Sequence, residues 1–98
     1  MTPTILVVDD DPAIAEMLTL VLQGEGFETV VVGDGLEAVH AARSVHPDLI
    51  LLDVMLPGMN GIDVCREIRE ESAVPIVMLT ARTDTCLLYT SDAADDIL

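Results

Sequence analysis

Two hydrophobic textures alternate along this chain. Residues 4–8 form a β-branched, continuously apolar run, Ile5-Leu6-Val7-Val8 after Thr4, the pattern of a strand buried on both faces. Asp11 then stands as a helix N-cap and Pro12 at the first helical position. Ile14, Met17, Leu18, Val21 and Leu22 recur at helical spacing until Gly24 and Gly26 end that helix. Thr29-Val30-Val31-Val32 predicts a second strand and Gly33-Asp34-Gly35 a turn. Leu36, Val39, His40 and Val45 predict a weaker helix stopped by Pro47. A third strand is expected over 48–52, followed by a loop rich in breakers, Met55-Leu56-Pro57-Gly58-Met59-Asn60-Gly61. Val64, Cys65 and Ile68 return to helical spacing over 62–70, and 74–79 predicts a fourth strand. The order βαβαβαβ with short connections predicts an α/β fold, a doubly wound parallel sheet with helices on both faces.

The polar positions that end the apolar runs are chemically specific. The first strand stops at Asp9-Asp10-Asp11, the third at Asp53 and the fourth at Thr80. In neighbouring parallel strands these groups meet at one edge, where open α/β sheets bind ligands. A single aspartate after a strand is commonly a helix cap, and Asp11 is read as one. The joint pattern favours chemistry for Asp10 and Asp53: a strand-end carboxylate can attack a phosphoryl group once a cation offsets the repulsion between two anions. Mg²⁺ takes hard oxygen ligands, and Asp9 and Asp10 lie on the strand expected beside Asp53.

Composition narrows the partners. Of 98 residues 51% are hydrophobic, which predicts one small domain, and the formal net charge is −14. Such a charge disfavours direct binding of nucleic acid or an anionic membrane, both of which need a basic surface. The basic residues are Arg43, Arg66, Arg69 and Arg82, with no lysine, so a phosphate site here lacks the usual ammonium. Cys65 and Cys86 have no metal-ligand spacing, and Cys65 is expected to be a buried free thiol. His40 and His46 read as exposed helix-end residues. With no basic leader and no apolar run near the roughly 20 residues of a membrane span, a soluble cytoplasmic protein is expected.

These motifs together resemble the receiver domain of two-component response regulators, over positions 4 to 85. The first carrier is Ile5-Leu6-Val7-Val8-Asp9-Asp10-Asp11. The others are Leu51-Leu52-Asp53-Val54-Met55-Leu56-Pro57-Gly58-Met59-Asn60-Gly61 and Pro75-Ile76-Val77-Met78-Leu79-Thr80-Ala81. The central loop looks most like receivers attached to winged-helix DNA-binding domains. The resemblance implies a flavodoxin-like sheet of order 2-1-3-4-5 and a phosphoacceptor Asp53 that takes its phosphoryl group from a sensor histidine kinase. It implies a signalling domain that catalyses only its own phosphotransfer. Asp10 would bind Mg²⁺ directly, Asp9 through water and Met55 through its main-chain carbonyl, while Thr80 would hydrogen-bond the phosphoryl oxygens and act as a switch. Transcriptional control and receiver dimerisation would belong to a longer parent.

The family's fifth strand, with its lysine, and its last helix are not found in this sequence. Residues 86–98, beginning Cys86-Leu87-Leu88-Tyr89-Thr90-Ser91, resemble the in-frame translation of a transposase sequencing adapter. The expected organisation is therefore an incomplete receiver over 1–85 and a non-native or atypical tail over 86–98. In such a fragment the fourth strand becomes an open edge, and Val74, Ile76, Val77 and Leu79 are expected to lose cover. A non-functional fragment, or a divalent-metal module without phosphotransfer, is the alternative. A haloacid-dehalogenase-type phosphatase is disfavoured, because Met55 occupies the place of that family's acid/base aspartate.

Overall fold

The computed structural model describes residues 2–53 and 56–79. Four parallel strands, β1 (Thr4–Val8), β2 (Glu28–Val32), β3 (Leu49–Leu52) and β4 (Ile76–Met78), form a sheet of order β2-β1-β3-β4. The helices between them are α1 (Pro12–Gly24), α2 (Gly35–Val45) and α3 (Gly61–Arg69). The predicted elements are all present, with ends moved by one or two residues. β4 is the shortest because Pro75 has no N–H to donate to a ladder, although its carbonyl accepts from Ile50 N–H at 2.9 Å.

Chain direction across the sheet reverses after β2, since the chain steps outward from β1 to β2 and then returns past β1 to β3. Right-handed crossovers therefore put α1 on one face and α2 and α3 on the other. The side-chain period of two divides the strands accordingly. Leu6, Ile50 and Ile76 share one register row and Val8, Leu52 and Met78 the next. All six are buried in one cluster with Ala38 and Val39 of α2 and Val64, Cys65 and Ile68 of α3.

The opposite rows run Val7, Leu51, Val77 toward the side of α1. Cover there decreases along the row: Val7 is fully buried, Leu51 half-buried and Val77 39% exposed. The expected loss of cover on β4 is thus confined to one face. Ile76 keeps its cover because alternation turns it toward α2 and α3, whereas Val77 faces away. Helix α1 shows the same imbalance, with Ala15 buried and Ile14, Met17, Leu20 and Val21 exposed.

Local signals set the helix ends. Asp11 accepts from Ala13 N–H at 2.9 Å and Pro12 fits the first turn, where a missing N–H costs nothing. Helix α1 ends in a Schellman arrangement, with Gly26 at φ +96°, Gly26 N–H bonded to the Gln23 carbonyl and Phe27 N–H to that of Leu22. His46 closes α2 in the left-handed region and, like His40, is exposed; His40 stands inside α2, not at its end. The free thiol expected at Cys65 is corrected: its buried sulfur is disulfide-bonded. Helical periodicity places that sulfur in the interior but carries no information on whether it is bonded.

Ile50 sits in a central strand with no exposed surface, under both α2 and α3. Ile50→Ala should cost about 2–5 kcal/mol, a large part of the roughly 5–15 kcal/mol that holds a small domain together. Urea unfolding followed by circular dichroism checks this, as a lowered midpoint or loss of the cooperative transition.

Candidate functional site

The carboxyl ends of β1 and β3 are adjacent, and the ladder continues past both strands. Asp9 N–H donates to the Val32 carbonyl at 3.1 Å, and Asp53 N–H donates to the Val8 carbonyl at 2.9 Å. These two bonds fix Asp9 and Asp53 side by side at the crevice where the strand order reverses, the usual ligand position of open α/β sheets. Asp10 follows on the exposed rim. One carboxylate oxygen from each of Asp9, Asp10 and Asp53 lies within 4.8 Å of the others.

The three consecutive aspartates have separate tasks. Asp9 is buried, 4% exposed, and its Oδ1 accepts from Asp11 N–H at 2.9 Å. Asp11 caps α1, as its sequence position predicts. Asp10 is exposed and Asp53 half-buried, so both present oxygens to an open hollow of about 900 Å³. Ile14, Leu56 and Arg66 also line it.

Burial pushes the Asp9 carboxyl above its ordinary ionisation range. The Asp11 N–H opposes that shift, while the charges of Asp53, Asp10 and Asp11 add to it. A divalent cation among these oxygens relieves both the desolvation and the repulsion. The donor set fits Mg²⁺ in kind, being three hard carboxylate oxygens gathered within 4.8 Å of one another.

The structure brings together Asp9, Asp10 and Asp53 of the residues expected at the site. Met55 and Thr80 lie outside the described residues. Arg66 was not expected here. It follows Asp63 by three positions, pairs with it at 3.9 Å, and both line the hollow. The signal was present in the sequence, since the Asn60 cap starts α3 at the rim and helical spacing puts positions 62, 63 and 66 on one side. A second hollow of about 400 Å³ lies between α2 and α3, against the two-point Arg43–Glu71 ion pair at 2.7 Å. That pair is exposed and holds α2 near the end of α3.

Comparison with known proteins agrees with this geometry. The family model described as "Response regulator receiver domain" matches residues 5–98. The DNA-binding response regulator MtrA of Mycolicibacterium smegmatis is 64% identical over 98 residues, covering 98% of this chain and 43% of the relative. The transcriptional regulatory protein CseB of Streptomyces coelicolor is 45% identical over 94 residues, covering 94% of this chain and 40% of the relative. The chain thus spans less than half the length of these curated relatives. Among solved structures, the receiver domain of a sensor histidine kinase from Pseudomonas aeruginosa PAO1 superposes with a TM-score of 0.79 at 35% identity, over 84% of this chain and 70% of that one. That structure carries a magnesium ion coordinated in its active site cleft. The chemotaxis response regulator CheY4 of Vibrio cholerae gives a TM-score of 0.80 at 30% identity, over 98% of this chain and 78% of that one.

The raised Asp9 carboxyl has a definite sign. A carboxyl whose folded value exceeds its unfolded one favours folding below the ordinary 3.8 and loses that contribution as pH rises through the folded value. At neutral pH Asp9 therefore destabilises the metal-free fold. Asp9→Asn keeps an oxygen to accept from Asp11 and removes the charge. Without metal at pH 7 it should raise the melting temperature. Added Mg²⁺ should stabilise the parent sequence more than the variant, as thermal melts with and without the ion will show.

Proposed function

The chain belongs to the response regulator receiver domain family, and from that premise we propose that Asp53 is the phosphoacceptor of a two-component signalling system. The observation that carries this reading is the convergence of the Asp9, Asp10 and Asp53 oxygens over the ends of β1 and β3. In the proposed reaction an Asp53 carboxylate oxygen bonds to phosphorus as the bond from phosphorus to a kinase histidine nitrogen breaks. An acyl phosphate forms and the histidine is left free. A bound Mg²⁺ would supply charge neutralisation between the two anions. Asp10 would hold it directly, Asp9 through water and Met55 through its main-chain carbonyl.

The fixed backbone of Asp53 orients the nucleophile, while Ile14 and Leu56 narrow the approach from the rim. Thr80 would donate a hydrogen bond to the phosphoryl oxygens once they are present and so switch the segment after it. The chain is on this reading a signalling domain whose catalysis is limited to its own phosphotransfer, working in the cytoplasm with a sensor histidine kinase. Residues 1–85 are proposed as the receiver portion and 86–98 as an atypical tail. DNA binding, transcriptional control and receiver dimerisation would reside in a longer parent like the curated relatives. No described helix is long and apolar enough to cross a membrane.

A metal-binding module without phosphotransfer is the second reading, favoured by an acidic triad in a sequence without lysine. Incubation with Mg²⁺ and acetyl phosphate, followed by intact mass spectrometry, separates the two. One added phosphoryl group is expected on the chain and none on Asp53→Ala. Mg²⁺ binding with no phosphoryl gain by either protein would leave the metal-binding reading standing alone.

A further inference from the structure

The loop joining Asp53 to α3 is pinned at its first residue by the Asp53 N–H bond to Val8 and at its last by Asn60, whose side chain accepts from Asp63 N–H at 3.0 Å. Within it, the 57–59 turn leans on the first turn of α2. Gly35 N–H donates to the Pro57 carbonyl at 3.2 Å, and Gly35 is fully enclosed. A Cβ at Gly35 would stand 2.5 Å from the Met59 carbonyl oxygen, 2.7 Å from the Met59 Cβ and 2.8 Å from the Val64 Cγ2. No side chain fits there. Gly58, at φ +85°, turns the loop so that a Cβ on it would lie 3.9 Å from the Asp34 Cβ.

The turn of α2 that receives the loop is itself rigid. Asp34 accepts from Glu37 N–H at 2.8 Å, its carbonyl accepts from Ala38 N–H at 3.0 Å, and Glu37 reaches back to Gly33 N–H at 3.4 Å. We infer that Gly35 is a positioning residue for the phosphoacceptor loop: its missing side chain lets α2 hold the 57–59 turn, and that contact sets the loop following Asp53. The inference rests on the phosphoacceptor reading for its consequence, but the contact itself is independent of it. Gly35 lies outside the acidic cluster of Asp9, Asp10 and Asp53. Its effect passes through the loop's path, as with outer partners that orient metal ligands.

The test uses the full 98-residue chain, Gly35→Ala, and Ala38→Gly as a control that loosens the same helix from its buried face and adds no atom against the loop. Backbone amide exchange without metal reads the contact. Gly35→Ala should speed exchange across residues 56–60, whereas Ala38→Gly, compared at an equal interval below its own melting temperature, should leave that segment unchanged. Calorimetric titration with Mg²⁺ reads the consequence: a loss of about 10–100-fold in affinity for Gly35→Ala, against little change for Ala38→Gly. If Gly35→Ala does not fold, the same comparison runs in a Val64→Ala background, which frees the α3 side of the contact and leaves the loop as the part displaced. Unchanged loop exchange in the glycine variant, or equal effects in both variants, overturns the positioning role. Failure of the unsubstituted chain to bind Mg²⁺ overturns the metal-dependent phosphoacceptor reading instead, and the exchange result still decides the role of Gly35.

Discussion

The hydrogen bond from Asp53 N–H to the Val8 carbonyl is the constraint on which the site depends. It is a ladder bond made one residue beyond β3, so it inherits the rigidity of two buried central strands. With its counterpart from Asp9 to Val32, it removes most of the freedom of two carboxylates that would otherwise move apart. Like charges do not converge spontaneously. Here the backbone holds them together, and the burial of Leu6, Val8, Ile50 and Leu52 beneath supplies the opposing free energy.

That arrangement explains why the Asp9 carboxyl is raised, through lost hydration first and neighbouring charge after it. Asp10 and Asp53 retain contact with water, which screens their charges, whereas Asp9 is enclosed and loses hydration as well as facing its neighbours. An acidic site built this way stores unfavourable electrostatics that a small, hard cation releases. Selectivity for cations over anions follows without a special recognition element. Arg66 lines the same hollow and brings a guanidinium to its wall.

Much of the fold was legible in the sequence because its signals are local. Apolar runs bounded by turn residues marked β1 to β4, while Asp11, Pro12 and Gly26 marked α1 through chemistry confined to its own ends. The acidic triad was legible for a related reason: Asp9 and Asp53 each end an apolar run, Asp10 follows Asp9, and parallel strands bring such ends together. What escaped notice depends on contacts between elements. Alternation alone gives Ile76 and Val77 opposite faces, but not that α2 and α3 cover one face of β4 more fully than α1 covers the other. That the Cys65 sulfur is bonded rather than free is likewise a tertiary fact. Gly35 read as part of a turn, whereas its enclosure comes from a loop more than twenty positions away.

The helix starts complete the argument for where this chemistry sits. In a parallel sheet with short connections every helix begins at the carboxyl edge of the strands, so the N-caps Asp11, Asp34 and Asn60 all lie along the edge that carries the acidic triad. Each helix start directs partly positive N–H groups there. The Asp11 N–H that bonds Asp9 at 2.9 Å is such a group, and it acts against the rise in the Asp9 carboxyl. It reduces that rise without abolishing it, so part of the cost of enclosing the Asp9 carboxylate remains for a cation to relieve. The order of strands and helices, rather than any single side chain, therefore sets the site's charge and its location together.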